Sequence, residues 1–517
     1  MRDSHEQETW GKDSDGGQRG AHPAAQQISD EGGGREHRTR CDLADRDGVN
    51  ELLVGQPPPA VGEIGAQKRQ QYVTASEQDG SDLQEEERQT GQCERDIDRT
   101  RGLREHGAGT EGDKRAIAWA QAKFRELGFD RVWTEDVPVE YGWKRGDASA
   151  EIVSPYPHTI VLTALGYSVG TGGDLTGEIV EFADFEALQA LPEGISLKGK
   201  IAFVSYSMAD FEPQPGDARM AGYGKGTRAR SQGHVVAAKR GAAAIIIRSV
   251  GTDNNRYAHT GSGYGYEDGV KKIPAAAISP PDAILIQNML RRGKPVIFKM
   301  NMTSQITSAI KGANVIGEIT GRSDPDNYVV LGAHLDSWDE GTGAIDDGAG
   351  VGSMMAAAAM IGKMEQRPNR SIRVLLFAAE EIGLIGVREY YKANKKNLDR
   401  HLLGAEVDGG GGRPHTLISG VGENALPVVR EMHKLIEPLG IAWSDANDAT
   451  GASDMSVLGQ AGMPALNFMQ NSNDYFDYHH TPNDTFDKII PGDMRQLTAA
   501  YATMFYLASE MDIDFRK

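Results

Sequence analysis

Apolar and polar positions change rhythm along this chain, and the changes mark its elements. Between residues 113 and 127 the apolar side chains Ala116, Ile117, Ala120, Phe124 and Leu127 fall at helical spacing, with Gly128 placed as a C-cap. Residues 132–141 alternate as a strand does. Short β-type runs then dominate, at 159–165, 178–182, 200–205, 243–247 and 273–278, separated by Gly and Pro turns. Residues 234–239 predict a helix between two of them. The stretches 206–226 and 254–266 are rich in Gly and Tyr and are expected to be exposed loops. No catalytic constellation stands out in this region.

Beyond Ile316 an α/β rhythm returns. Residues 328–333 predict a strand, 350–364 an apolar helix, and 372–379 an almost wholly apolar strand of the kind a buried parallel sheet needs. Two more strands are expected at 402–407 and 465–469, and an amphipathic helix at 494–511. Strands alternating with helices predict an α/β fold with a sheet between helical layers, and such sheets place active sites at the carboxyl ends of their strands.

The first 108 residues have a different texture. They are rich in Arg, Glu, Asp, Gln and Gly, and Trp10 and Tyr72 are their only aromatics. No amphipathic period is sustained, so a disordered or non-native tail is expected. The abrupt boundary at residues 109–112 also fits a misplaced start or a shifted reading frame. No signal peptide is visible.

Composition narrows the function. A length of 517 residues calls for two or three domains. The net charge of −19 argues against a nucleic-acid partner, and no apolar run approaches the ~20 residues of a membrane span. The two cysteines, Cys41 and Cys93, both lie in the tail. Any metal in the globular part is therefore held by His, Asp and Glu.

Those residue types recur where apolar runs stop. His334-Leu335-Asp336 follows one predicted strand, and an imidazole there suits zinc, with Asp336 able to orient the ring. Asp346 precedes Asp347-Gly348-Ala349-Gly350, where a carboxylate can bridge two cations. Gly348, Gly350 and Gly352 lack the dinucleotide spacing, and the acids before them would repel a pyrophosphate. Glu380-Glu381 ends the apolar strand at 372–379. Paired acids there are costly without a cation or proton, and one can ligate while its neighbour serves as general base. Asp408 meets four glycines. His479 and His480 precede Thr481-Pro482, and physics alone does not choose between them.

These motifs, His-x-Asp, Asp-Asp-Gly-Ala-Gly, Glu-Glu-x-Gly-Leu-x-Gly and His-Thr-Pro-x-Asp-Thr, resemble metallopeptidase family twenty-eight, the zinc-dependent exopeptidases, from about residue 109 to the C-terminus. The resemblance implies a three-layer zinc-exopeptidase fold, a mixed and mainly parallel sheet between helices, with a β-rich protease-associated domain inserted. The peptidase domain would take residues 109–150 and 301–517, the second part carrying the metal site, and the insert would take 151–300. The resemblance also implies two zinc ions: one on His334 and Asp408, the other on Glu381 and His480, with Asp346 bridging. Glu380 would be the general base and Asp336 would orient His334. Two zinc ions against three carboxylates leave one charge for a bridging hydroxide, the natural nucleophile.

The expected function is a dinuclear zinc exopeptidase acting on peptides or dipeptides, most simply an aminopeptidase. Alternatives are a carboxypeptidase-Q-like dipeptidase or carboxypeptidase, a receptor-like binding protein, and a single-zinc glutaminyl-cyclase-like acyltransferase. Cobalt or manganese suits the same ligands. Secretion or a periplasmic location is implied by the resemblance alone. Ser453-Asp454-Met455 and Gly386-Val387 depart from the family pattern of Ser-Asp-His and Gly-Ser, outside the metal ligands, and bear on specificity.

Overall fold

The computed structural model describes residues 107–210, 221–263, 265–472 and 474–517. The expectation for the tail falls on residues outside these, apart from Gly107 and Ala108.

One eight-stranded sheet runs in the order Arg131–Val139, Ile310–Ile319, Arg370–Phe377, Asp324–His334, His401–Glu406, Ala465–Gln470, Pro414–Gly420 and Ala442–Trp443. Its four central strands, from Arg370–Phe377 through Ala465–Gln470, are mutually parallel. The strand Ile310–Ile319 pairs antiparallel with Arg370–Phe377 on one flank, and Pro414–Gly420 pairs antiparallel with Ala465–Gln470 on the other. Period-two alternation sends successive side chains to opposite faces. Val329, Leu331 and Ala333 accordingly join Phe124, Met354, Leu497 and Tyr501 on one side. Tyr328 and Val330 join Phe377, Val387, Tyr390 and Met455 on the other. The helices Glu111–Glu126, Ala349–Gly362 and Pro491–Glu510 cover the first face, and Ile385–Asn394 and Met455–Gln460 cover the second. This is the three-layer zinc-exopeptidase fold that the sequence implied.

A second eight-stranded sheet is built between residues 148 and 302, in the order His158–Ile160, Ala148–Ser154, Ile297–Met302, Leu175–Phe182, Lys200–Val204, Ala244–Arg248, Ala275–Ile278 and Leu162–Ala164. Its two faces carry separate apolar clusters, around Ile247 and Phe185 and around Phe203 and Phe298.

Two sequence expectations for this region are corrected. The helix predicted at 234–239 runs Ala221–Lys239. It takes in residues expected to be loop, because its glycines at 222, 224, 226 and 233 hide its period. The stretch 254–266 is not an exposed loop throughout: His259 and Thr260 are fully buried. They are buried against the site described next.

Among the described residues no helix is long and apolar enough to cross a membrane.

Candidate metal centre

Four neighbouring parallel strands end on one side of the first sheet, and each hands on a side chain fit to bind metal. His334 is the last residue of Asp324–His334. Glu380 and Glu381 follow Arg370–Phe377, and Asp408 follows His401–Glu406. His479 and His480 follow Ala465–Gln470 and the short helix Tyr475–Tyr478. Asp346 comes from the tight turn Ala344–Gly348, which opens the helix Ala349–Gly362. Only glycine fits at 350, where a Cβ would lie 2.3 Å from a carboxylate oxygen of Asp347 and 2.5 Å from the carbonyl of Val407.

Asp346 is the centre of the arrangement. Its Oδ1 lies 3.1 Å from His334 Nε2, and its Oδ2 lies 3.2 Å from His480 Nε2 and 3.5 Å from His479 Nε2. Asp408 Oδ1 is 3.6 Å from His334 Nε2, and Glu381 Oε2 is 3.0 Å from His480 Nε2. Two groups of ligand atoms, His334–Asp346–Asp408 and Asp346–His479–His480, each lie mutually within 4.8 Å and share Asp346. Asp346 Oδ2 and Glu381 Oε1 are buried without a hydrogen-bond partner. Buried carboxylate oxygens in that condition call for a cation, a proton or a water. The donor set, with two acids and a shared third around imidazoles, fits two borderline divalent ions.

The surrounding contacts orient these groups. His334 Nδ1 donates to the backbone carbonyl of Asp336 at 2.8 Å, which turns Nε2 toward Asp346. The Asp336 carboxylate stands 3.9 Å from Nδ1 and instead accepts the backbone N–H of Glu380 at 3.0 Å. Asp336 thus holds the ring through its carbonyl and Glu380 through its side chain. Ser453 donates to Glu380 Oε1 at 2.7 Å.

In the metal-free chain, protons stand where cations would. Burial alone would depress His334, but hydrogen bonds to Asp346 and Asp408 carry it well above the usual imidazole range. His480 is likewise opposed by burial, yet Glu381 and Asp346 raise it to about 9. Asp346 is held well below the usual carboxylate range because His334 and His480 outweigh its burial. Burial and then repulsion from Asp408 and Glu381, against the pull of His334, push Glu380 up to about 8.

The structure brings all seven sequence-chosen residues to one place. It also adds others. Trp338 donates its indole N–H to Glu381 Oε2 at 2.6 Å, and Asp484 accepts the backbone N–H of Ile345 at 2.7 Å. Asp484 lies inside the His-Thr-Pro-x-Asp-Thr motif, so a signal for it existed. Tyr223 and Arg230 arrive from the helix Ala221–Lys239: the Tyr223 hydroxyl is 3.4 Å from His479 Nε2, and Arg230 Nη1 is 3.3 Å from His480 Nδ1. No pattern in the sequence pointed to them.

Comparisons with known proteins agree with this geometry. The profile described as peptidase family M28 matches residues 314–505. Carboxypeptidase Q of Mus musculus is 32% identical over 406 residues, 78% of this chain and 83% of that one. Carboxypeptidase Q of Homo sapiens is 32% identical over 406 residues, covering 78% and 82%. The crystal structure of a peptidase M28 precursor from Shewanella amazonensis SB2B is 46% identical, with a TM-score of 0.75 over 80% of this chain and 91% of that one. A zinc aminopeptidase from Bacillus subtilis, 20% identical with a TM-score of 0.57 over 81% and 95%, shares the fold. The chain belongs to peptidase family M28, as a zinc-dependent metallo-exopeptidase whose two cation positions share Asp346.

Proposed function

We propose that the chain is a carboxypeptidase-Q-like enzyme that removes the C-terminal residue of short peptides, dipeptides above all. Arg230 carries this reading. A carboxypeptidase needs a cation for the free carboxylate of its substrate, whereas an aminopeptidase needs an acid for the free amine. Arg230 is buried beside His480, and its Nε has no hydrogen-bond partner. Its Nη2 donates to the Tyr223 hydroxyl at 2.9 Å. With a cation on His480 Nε2, the ring proton sits on Nδ1 and is directed to the Thr260 carbonyl, 3.3 Å away. Arg230 Nη1 then also lacks an acceptor. A buried guanidinium with an unused N–H can donate to a carboxylate oxygen. The likeness to the carboxypeptidase Q sequences points the same way.

In this reading His334 and Asp408 would hold one zinc ion, Glu381 and His480 would hold the other, and Asp346 would serve both. His480 is preferred over His479 because Glu381 lies 3.0 Å from it, while His479 Nε2 faces Tyr223. Zinc held there would supply Lewis-acid polarisation of the scissile carbonyl and a bound water with its pKa lowered to about 7. Ser453 occupies Oε1 of Glu380, so Oε2 is left to take the proton of the attacking water and return it to the departing amine. The carbonyl of Asp336 keeps His334 in register, and Arg230 with Tyr223 orients the terminal carboxylate. The sheet built between residues 148 and 302 is proposed to be a protease-associated domain, and a secreted or periplasmic location accompanies that family reading.

A panel of one dipeptide in free, N-acetylated and C-amidated forms tests the proposal. Cleavage of the acetylated form with loss of the amide supports it. Cleavage of the amide with loss of the acetylated form replaces it with the aminopeptidase reading.

A further inference from the structure

The two cation positions are not supported alike. His334 is oriented by Asp336, and its backbone N–H goes to Asp347 Oδ2 at 3.2 Å. Every one of these contacts is internal to the first sheet and its loops. The Glu381–His480 position is different, because its supports come from, or rest on, the module built between residues 148 and 302.

Three contacts make the case. Trp338, which holds Glu381, has its ring seated on Gly166 of that module, where a Cβ would come within 1.9 Å of it. His480 sends Nδ1 toward the carbonyl of Thr260 at 3.3 Å, and the Thr260 N–H returns to the His480 carbonyl at 3.0 Å. His259 donates from Nδ1 to the carbonyl of His479 at 2.8 Å, while Asp253 Oδ1 holds its Nε2 at 2.6 Å. His259 and Thr260 are fully buried, so these bonds are shielded from water. His480 also sits at φ +61, a left-handed conformation that a non-glycine residue keeps only when its surroundings impose it.

We propose that the inserted module sets the occupancy of one zinc position only, the one on Glu381 and His480, with Trp338 and His259 acting as positioning residues across the junction. The inference rests on the ligand assignment proposed above. Residues that orient metal ligands typically change affinity by about 10- to 100-fold when removed. The Glu381–His480 ion is therefore the one released when the module is loosened, and the His334–Asp408 ion stays.

The test is zinc stoichiometry of the full chain, read by mass spectrometry after dialysis against a graded zinc buffer. Trp338→Phe keeps the ring and removes the N–H. Asp253→Asn leaves His259 in place and weakens its anchor. In each, one zinc per chain is expected to leave at about 10- to 100-fold higher free zinc than in the unaltered chain, and the other to leave where it did before. Loss of both ions together, or no change in either, overturns the proposal. Glu381→Gln and Asp408→Asn, each alone and combined with Trp338→Phe, identify the positions, because two substitutions that empty the same position leave one zinc in the double variant. If the ion lost in Trp338→Phe is the one lost in Asp408→Asn, the ligand assignment fails rather than the link to the module. A thermal melt of each zinc-stripped variant that matches the unaltered chain excludes general unfolding as the cause.

Discussion

Asp484 accepts the backbone N–H of Ile345 at 2.7 Å, one residue ahead of the bridging Asp346. Its backbone carbonyl also takes the N–H of Thr342 at 2.8 Å. The turn that presents Asp346 is thus pinned from the segment that carries His480. Burial pushes the Asp484 carboxyl up to about 8, with the charge of Asp346 adding to it against the backbone bonds. A neutral acceptor is then a fair replacement. Asp484→Asn is expected to keep near-normal zinc affinity. Asp484→Ala is expected to lose about 10- to 100-fold, read by competition with a chromogenic chelator. Equal affinities in the two variants would remove Asp484 from the metal-holding turn.

In the proposed mechanism Glu380 is the general base and holds no cation, and its Oε1 accepts from Ser453. Removing its proton-accepting oxygen should spare the metals. Glu380→Gln is expected to lower kcat by about 10²- to 10⁴-fold while zinc stoichiometry stays at two per chain. A variant that loses zinc as well as rate would make Glu380 a ligand instead. Ser453→Ala, which frees Oε1, should have the smaller effect on kcat and shift the acid limb of the rate profile.

Zinc affinity should rise with pH. The sign follows from the raised histidines: in the metal-free chain His480 holds its proton up to about 9, and His334 titrates well above the usual imidazole range. In the proposed assignment zinc takes the Nε2 lone pairs of both histidines. Binding below pH 9 therefore displaces protons, roughly two from the histidines, with Glu380 adding to the release below about 8. Calorimetry of zinc binding in buffers of different ionisation enthalpy reads the number directly. Zero protons released at pH 7 would contradict the paired acid–imidazole geometry.

The sheet and the convergence of the candidate ligands were legible because both leave local marks. Apolar runs such as 328–333 and 372–379 became central parallel strands, and ligand residues fell just past their ends, where a parallel sheet gathers them. The residues alone left His479 and His480 open, and the family resemblance chose His480; the 3.0 Å approach of Glu381 to His480 supports that choice. Tyr223 and Arg230 were invisible for another reason. Their helix is rich in glycine, and what brings it to the metals is the seating of one module on another. Thr260 acts through its backbone, which no side-chain pattern can report. The second sheet placed its contribution in a stretch whose Gly and Tyr content reads as solvent-facing loop.

A second junction starts at Asp339, the residue after Trp338. Arg145 Nε lies 3.0 Å from both carboxylate oxygens of Asp339, and its Nη1 reaches the Thr163 hydroxyl at 2.9 Å and the Ala164 carbonyl at 2.6 Å. Glu340 stands 3.9 Å from the same guanidinium. Arg145 therefore ties the loop that follows His334 to the second sheet. Its side chain is 14% exposed and that of Asp339 23%, so the pair is screened but not dry. Removing the arginine leaves two acids facing each other with little water. Arg145→Met is expected to destabilise the chain by about 2–3 kcal/mol, below the 3–5 kcal/mol of a fully buried pair. Asp339→Asn in the same chain should return part of that loss, because it removes one of the stranded charges. Urea midpoints for the two single variants and the double variant form a cycle whose coupling energy reads the pair. Simple additivity would mean that the contact holds the loop in place without contributing to stability.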